Sequence, residues 1–449
     1  MVKIRKISTF QYRFSFQEEN FDKFYNRFLE SDLGKIYQAI PWDELVRVFS
    51  IKEHKKGRES IFSTKGKLAL MFLKHYASCS DRRLLEQLNG NIEYQFFCDI
   101  YLGTDRITNY KIISEIRTML SKKMKIEKVQ QALFSYWSDF IANKSDITTD
   151  ATCYESEVRL PTNQKLLYES VEWLYQEMKI ICKQLKIRKP RTKYNKWKPR
   201  YISYSKMRKK SKKKRASLTR GLLRLLDKLN HELDEIEQNY KFEMPQRYYE
   251  RRKTIRTIYS QQYLLFTTGE LPKNRIVSIH KKYLRPIVRG KELKKVEFGA
   301  KVNKYQIDGI NFIERISFDN FNEGTEFINT IYQSQQLTNT RVKIIGADAI
   351  YATNKNRVFV TNNKIKTDFK PKGKPSKYHK QKKQLSGMIT KERASRLEGS
   401  FGKEKEHYHL KKVKARTELN EKLWIFFGIH TANALEIGRR MVKAKTKAA

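Results

Sequence analysis

Acidic residues are scarce in this chain beside the basic ones. Against 94 Lys and Arg stand 48 Asp and Glu in 449 residues, a formal net charge of +46. Self-repulsion on that scale works against a compact state, so the imbalance points to a polyanionic partner, of which nucleic acid is the commonest. Long apolar runs are missing too. No stretch of about eighteen apolar residues occurs, and Met1-Val-Lys-Ile-Arg-Lys lacks the apolar segment of a signal peptide. A membrane protein is therefore set aside, and the cytoplasm is the expected setting. Cysteine is sparse: Cys79, Cys98, Cys153 and Cys182 are scattered without disulfide-framework or metal-ligand spacing and read as reduced, buried thiols. Of eight histidines only His407 and His409 lie close together, with no cysteine near, so a zinc site there is disfavoured. The length suits two or three domains with real cores.

To about residue 140 the chain is helical by period. Leu68, Met71, Phe72 and Tyr76 form one apolar stripe; Leu84, Leu85 and Leu88 form a second after Ser80, a fitting N-cap; Ile112, Ile113, Ile116, Met119 and Leu120 form a third after Thr108. Gly90 and Gly103 punctuate these segments. Short helices with tight turns suit a helix-turn-helix-like DNA-binding unit, and equally a bundle with structural or dimerisation duties.

Helical spacing returns from about 162 to 265, through Leu166, Leu167, Val171, Leu174, Met178, Ile181 and Leu185, then Leu222, Leu226, Leu229, Leu233 and Ile236. Between these stripes lies the most basic part of the chain, with no Asp or Glu from Met178 through Leu226. Its cations include Arg188, Lys189, Arg191, Lys193, Lys196, Lys198, Arg200, Arg208, Lys209 and Lys210, interleaved with Tyr194, Trp197, Tyr201 and Tyr204. Cations neutralise phosphates and release counterions, while rings pack on sugars or exposed bases. The expectation is a DNA-binding insertion, flexible when free and ordered on DNA.

Around that insertion the pattern is that of strands. Asp146-Ile-Thr-Thr-Asp150 opens the series. Val296, Phe298, Ala300 and Val302 alternate with more polar neighbours, Asp308-Gly309 is a hairpin signal, and Ile310 to Phe318 reads as the return strand. A helix over Asn322 to Gln336 precedes the strand Val342-Lys-Ile-Ile-Gly-Ala-Asp348, and a short strand fits near Ile365 to Phe369. A charged loop follows from Lys370 to about Lys383, then a helix bearing Glu398 and an apolar helix from Leu419 to about Ile437. This order is that of a ribonuclease H-like core, in which the first and fourth strands are neighbours. Two strands ending in Asp150 and Asp348, with Glu398 from a helix packed across them, would cluster three carboxylates. Such a cluster stays ionised only beside divalent cations, and hard oxygen ligands suit Mg2+ or Mn2+. Lys405 is two helical turns past Glu398, on the same face, where its charge can hold a DNA backbone.

Several phrases resemble a bacterial insertion-sequence transposase of the DDE type: Thr149-Asp-Ala-Thr-Cys-Tyr-Glu155, Arg285-Pro-Ile-Val-Arg-Gly-Lys291 with Glu297-Phe-Gly-Ala-Lys-Val302, Gly346-Ala-Asp-Ala-Ile-Tyr351, Arg396-Leu-Glu-Gly-Ser-Phe401, and Trp424-Ile-Phe-Phe-Gly-Ile-His-Thr-Ala-Asn433. The region around Leu68 to Phe97 resembles the helical segment preceding the catalytic core in that group. The resemblance implies that Asp150, Asp348 and Glu398 hold two Mg2+ or Mn2+ ions, with Lys405 completing a Glu-x6-Lys element. Related signatures carry a tyrosine seven residues and an arginine four residues before the glutamate, where this chain has Lys391 and Ala394; Arg393 and Arg396 are the substitutes at hand, and both join the expected DNA-binding set. Glu392, Glu404 and Glu406 are rival helical glutamates, and Glu155 reads as a second carboxylate behind the metals or an exposed turn residue.

The expected fold is thus α/β: a ribonuclease H-like mixed sheet with flanking helices, interrupted by a helical insertion and preceded by an all-α N-terminal domain. The expected domains are residues 1–140 for DNA binding or dimerisation, 141–161 with 285–449 for the catalytic core, and 162–284 for the basic insertion. The implied activity is metal-dependent cleavage at the inverted-repeat ends of an insertion sequence and strand transfer into target double-stranded DNA. Handling two ends implies a dimer on DNA, associated with the bacterial nucleoid. The rival readings are a noncatalytic nucleic-acid-binding regulator derived from a transposase, and a metal-dependent nuclease that cuts without joining.

Overall fold

Ser80 does cap a helix, its hydroxyl accepting from the Arg83 N–H at 3.2 Å, and Asn322 caps another through the Gly324 N–H. The structure, a computed structural model, describes residues 17–52, 60–288, 296–373 and 379–448; Met1–Lys6, Arg289–Lys291 and residues 374–378 of the expected charged loop lie outside these. The fold is mixed α/β and mostly helical, with one curled mixed sheet. Two compact units emerge, one from residues 1–156, 300–317 and 321–449, the other from 157–299 and 318–320. No helix among the described residues is long and apolar enough to cross a membrane.

In the first unit, eight helices among the described residues precede the sheet: α1 (Gln17–Glu30), α2 (Asp32–Gln38), α3 (Trp42–Val48), α4 (Thr64–Ala77), α5 (Asp81–Gly90), α6 (Ile92–Phe97), α7 (Lys111–Ser121) and α8 (Ile126–Trp137). The third stripe starts at Lys111 rather than just after Thr108, with Asn109 Oδ1 accepting from the Lys111 N–H at 3.1 Å. Strand β1 (Asp146–Glu155) follows, and strands β3 (Val296–Ile307), β4 (Ile310–Ser317), β5 (Ile344–Ala347) and β6 (Lys366–Thr367) complete the core sheet in the order β4-β3-β1-β5-β6. The short β2 (Pro286–Val288) pairs with the first residues of β3, within the second unit. The β3–β4 hairpin turns at Asp308 and Gly309, both at positive φ (46° and 84°), as a two-residue turn of the expected kind requires. β1 and β5 run parallel, from Asp146↔Ile344 to Thr149↔Ala347, and β5 runs parallel to β6.

Helix α13 (Glu323–Thr338) leads into β5, and α14 (Asn354–Asn362) links β5 to β6. The stretch expected as one helix around Glu398 is three pieces: α15 (His379–Glu392), a π-helical turn (Arg393–Glu398) and α16 (Gly399–His407). Gly346 lets α15 close on β5, since a Cβ there would lie 2.6 Å from Ile389 Cγ2. The long α17 (Glu418–Ala448) packs on α2, α4, α7 and β4. Phe427 meets Phe72 edge-on at 4.8 Å, which uses the α4 stripe as core.

The phrase ending His-Thr-Ala-Asn433 has a physical role in this packing. β4 is an edge strand whose outer backbone groups need partners. Asn433 accepts from the Asn311 N–H at 3.1 Å and donates to its carbonyl at 2.7 Å; Gln130 does the same for Ile313, at 2.7 and 3.0 Å. Two side-chain amides thus stand in for a further strand.

The second unit contains α9 (Asn163–Gln184), α10 (Tyr194–Lys206), α11 (Lys212–Asn239) and α12 (Gln246–Thr268) around an aliphatic core. The expected flexible basic segment is largely helix α10. Its aromatics are spent on folding: Tyr194 stacks on Tyr175 at 3.8 Å, Tyr201 on Tyr168 at 3.9 Å, and half-buried Trp197 closes over Gly221, where any Cβ would collide with the ring. Arg191, Lys193, Lys196, Lys198 and Arg200 are exposed, as are Arg188, Arg208, Lys209 and Lys210 nearby; Lys189 instead donates to the Tyr175 hydroxyl at 2.7 Å.

Candidate active site

Asp150 does not end its strand. β1 continues to Glu155, and Asp150 is the first residue beyond the register shared with β5. Strand length here is set by the longer partner β3, which takes the Thr149 hydroxyl on the Lys304 carbonyl at 2.9 Å. Asp348 follows the last residue of β5, so the two aspartates succeed the final matched pair, Thr149 and Ala347, on adjacent parallel strands. Asp150 Oδ1 accepts from the Ala151 N–H at 2.8 Å, and Asp348 Oδ1 accepts from the Ala349 N–H at 2.6 Å at the head of a single 3-10 turn. Tyr351 pins that turn: fully buried, it donates to Asn303 Oδ1 at 2.8 Å, and Asn303 donates in turn to Glu314 at 3.0 Å. Burial pushes the Glu314 carboxyl up to about 7.

Asp368, one residue past β6, was not foreseen. Its carboxylate accepts from the Ala347 N–H at 3.0 Å, which places a third aspartate beside the end of the third parallel strand. A two-residue strand leaves little periodic signal; the stretch Ile365-Lys-Thr-Asp368 was the only cue. Burial raises the Asp368 carboxyl, with Asp348 adding to the rise and Arg393 opposing it. Glu323, in the first turn of α13, pairs with Lys301 at 2.8 Å.

Glu398 is the last residue of the π-helical turn, 46% exposed, and accepts from Arg393 Nη1 at 2.9 Å. Arg393 is only 13% exposed, with Nε 3.9 Å from Asp368 Oδ2. Arg396, its companion in the sequence reading, pairs with Glu392 at 2.8 Å and Asp308 at 3.4 Å. Among the described residues, no three acidic, histidine or cysteine side chains are disposed to share one metal ion as they stand. Asp150 and Asp348 thus follow one matched pair on adjacent strands, and Glu398 is turned to Arg393.

The rival glutamates are engaged elsewhere. Glu404 is fully buried, takes Lys304 Nζ on both oxygens at 2.7 Å, and accepts also from Asn311 at 2.9 Å and from the Tyr154 hydroxyl. Glu392 is held by Arg396, Glu406 by Lys411 at 2.9 Å, and Glu155 by Lys412 at 3.2 Å. Lys405 donates to Thr152 Oγ1 at 3.1 Å. Thr152 is two residues past Asp150 on β1 and so on the same face. His409 packs edge-on against Trp424 at 5.1 Å, and burial lowers its imidazole to about 4.

Residues 19–119, from α1 into α7, match a family described as a transposase domain (DUF772), and residues 345–426, from β5 into α17, match the transposase DDE domain. Together the two matches support a DDE transposase of the insertion-sequence kind. The DDE match contains Asp348, Asp368, the π-helical turn with Arg393 and Glu398, and Lys405; Asp150 precedes it. Searches of curated proteins and of solved structures each return no match.

The Asp150 carboxyl is raised to about 6, first by burial, then by Glu323 and Asp348, against the pull of the Ala151 N–H and Arg393. A carboxyl whose folded value lies above its unfolded value favours folding below the unfolded value, and that advantage is lost as pH rises through the folded value. Without divalent cations, Asp150→Asn is therefore expected to raise the melting temperature at pH 7.5, with a gain of up to about 3 kcal/mol that fades towards pH 4. A gain that does not change between pH 4 and pH 7.5 would contradict this environment for Asp150.

Proposed function

We propose that the transposase cuts DNA at the inverted-repeat ends of its element and joins the freed 3′ ends to target DNA, with Asp150, Asp348 and Glu398 as the acidic triad of a ribonuclease H-like core. The observation that carries this reading is the β1–β5 register, which makes Asp150 and Asp348 the next residues on two adjacent parallel strands, with Asp348 and Glu398 inside the DDE match. The donor set fits a hard divalent cation: it consists of carboxylate oxygens only, and crowding by other carboxylates is what raises Asp150 beyond the effect of burial. Asp150 and Asp348 would hold Mg2+ or Mn2+, two ions in all, with Glu398 contributing once released from Arg393. Bound there, the ions would supply Lewis acidity, to activate the attacking water or 3′-hydroxyl and to stabilise the leaving oxygen.

The remaining work is positioning. Tyr351, through Asn303, fixes the turn that aims Asp348, and Lys405, tied to the Asp150 face of β1, holds a DNA phosphate. The cation-covered insertion, residues 162–284, binds duplex DNA through phosphates, and its rings stay in its own core. The helices of residues 1–140 contribute DNA binding or dimerisation, and two protomers handle the two element ends on the nucleoid.

The test is cleavage and joining on labelled linear duplex carrying the repeats that flank the gene, with Mg2+ or Mn2+. The reading expects metal-dependent nicks at the repeat ends and joined products. Tight binding without cleavage would favour the noncatalytic regulator, and cleavage without joining the simple nuclease.

A further inference from the structure

The π-helical turn makes possible a contact that an α-helix would not. Residues five apart in an α-helix sit about 140° apart round its axis, whereas i→i+5 hydrogen bonding brings them onto one face, and such turns gather at functional sites. Arg393 and Glu398 are five apart and meet at 2.9 Å. The guanidinium so placed is mostly buried, 3.9 Å from Asp368, and its charge is felt by Asp150. Its Nε is buried with no hydrogen-bond partner among the described residues. A cation this desolvated and this incompletely bonded is costly unless the surrounding negative charge needs it. That negative charge is the proposed metal site.

We infer that Arg393 is the internal counter-cation of the acidic site: it neutralises the carboxylates and holds Glu398 while no metal is bound, and an entering divalent cation displaces it. This rests on the proposed triad. The role fits the position of Arg393 among Asp150, Asp368 and Glu398, whereas Arg396, three residues on, faces Glu392 and Asp308 and has no part in it. Glu398 then has two partners in turn, Arg393 in the resting protein and metal in the loaded one. Arg393 is thus a positioning residue that also sets the electrostatic threshold for metal entry.

The two consequences have opposite signs, which separates this role from mere structural support. In the full-length chain without metal, Arg393→Gln lowers the melting temperature, because the carboxylates lose their cation. In the same variant, Mn2+ followed by electron paramagnetic resonance titration binds roughly tenfold more tightly, because no resident charge opposes it. Arg393→Lys keeps the charge and stays near the wild-type affinity, and Arg396→Gln leaves Mn2+ affinity unchanged. Unchanged or weaker Mn2+ binding by Arg393→Gln would overturn the inference, as would equal tightening by Arg396→Gln, which would mark a general charge effect. Asp348→Asn is the separate check on the site: if it abolishes Mn2+ binding while Arg393→Gln fails to tighten it, the triad stands and the counter-cation falls. If Asp348→Asn leaves Mn2+ binding intact, the triad falls and takes the inference with it.

Discussion

Asp348→Asn lowers DNA cleavage by on the order of 10³-fold and leaves DNA binding and the melting temperature near those of the parent protein. The separation follows from the local geometry. Asp348 is exposed, and the bond that its carboxylate accepts from the Ala349 N–H at Oδ1 can be accepted equally by an asparagine carbonyl oxygen. The turn is held independently by buried Tyr351. What the substitution removes is one negative charge beside Asp150, where a hard cation needs it. On the proposed reading DNA affinity rests instead on the many exposed cations, and it is expected to fall with salt in both proteins alike. Filter binding and cleavage measured on the same preparation check both halves. Retained cleavage would move the chemistry away from β5.

Lys304→Met destabilises the first unit by about 3–5 kcal/mol. Lys304 and Glu404 have side chains 0% and 1% exposed, and the ammonium contacts both carboxylate oxygens at 2.7 Å. Removing the lysine leaves a buried carboxylate with the Tyr154 hydroxyl and Asn311 as its remaining partners. Glu404→Gln added to Lys304→Met removes the stranded charge, so the double variant recovers part of the loss. Thermal unfolding of the single and double variants measures this. A single-variant loss under about 1 kcal/mol would mean that the pair is solvated in solution.

Glu398 and Glu404, six residues apart on one helical stretch, part company: the first is exposed and paired with Arg393, the second buried on Lys304. Their surroundings were only partly legible in the sequence. The Asp308-Gly309 hairpin, the Asn322 cap and the succession of strands were written locally, in turn chemistry and alternation. The adjacency of β1 and β5 followed from that succession. The position of Asp150 within a longer strand was not legible, because β1 is extended by its pairing with β3 rather than by its own pattern. Asp368 was hidden by the brevity of β6, and the π-helical turn by a helical period that looks continuous through Arg393. In the insertion, the interleaved rings gave no sign of whether they would face DNA or Tyr168, Tyr175 and Gly221; packing decided it.

The most direct test of the proposed acidic triad is the anomalous diffraction of Mn2+ in crystals of the whole chain bound to an element-end duplex. The account predicts Mn2+ peaks between the Asp150 and Asp348 carboxylates, with Glu398 drawn in and Arg393 displaced. Peaks elsewhere, or a site that does not include Asp150 and Asp348, would contradict it.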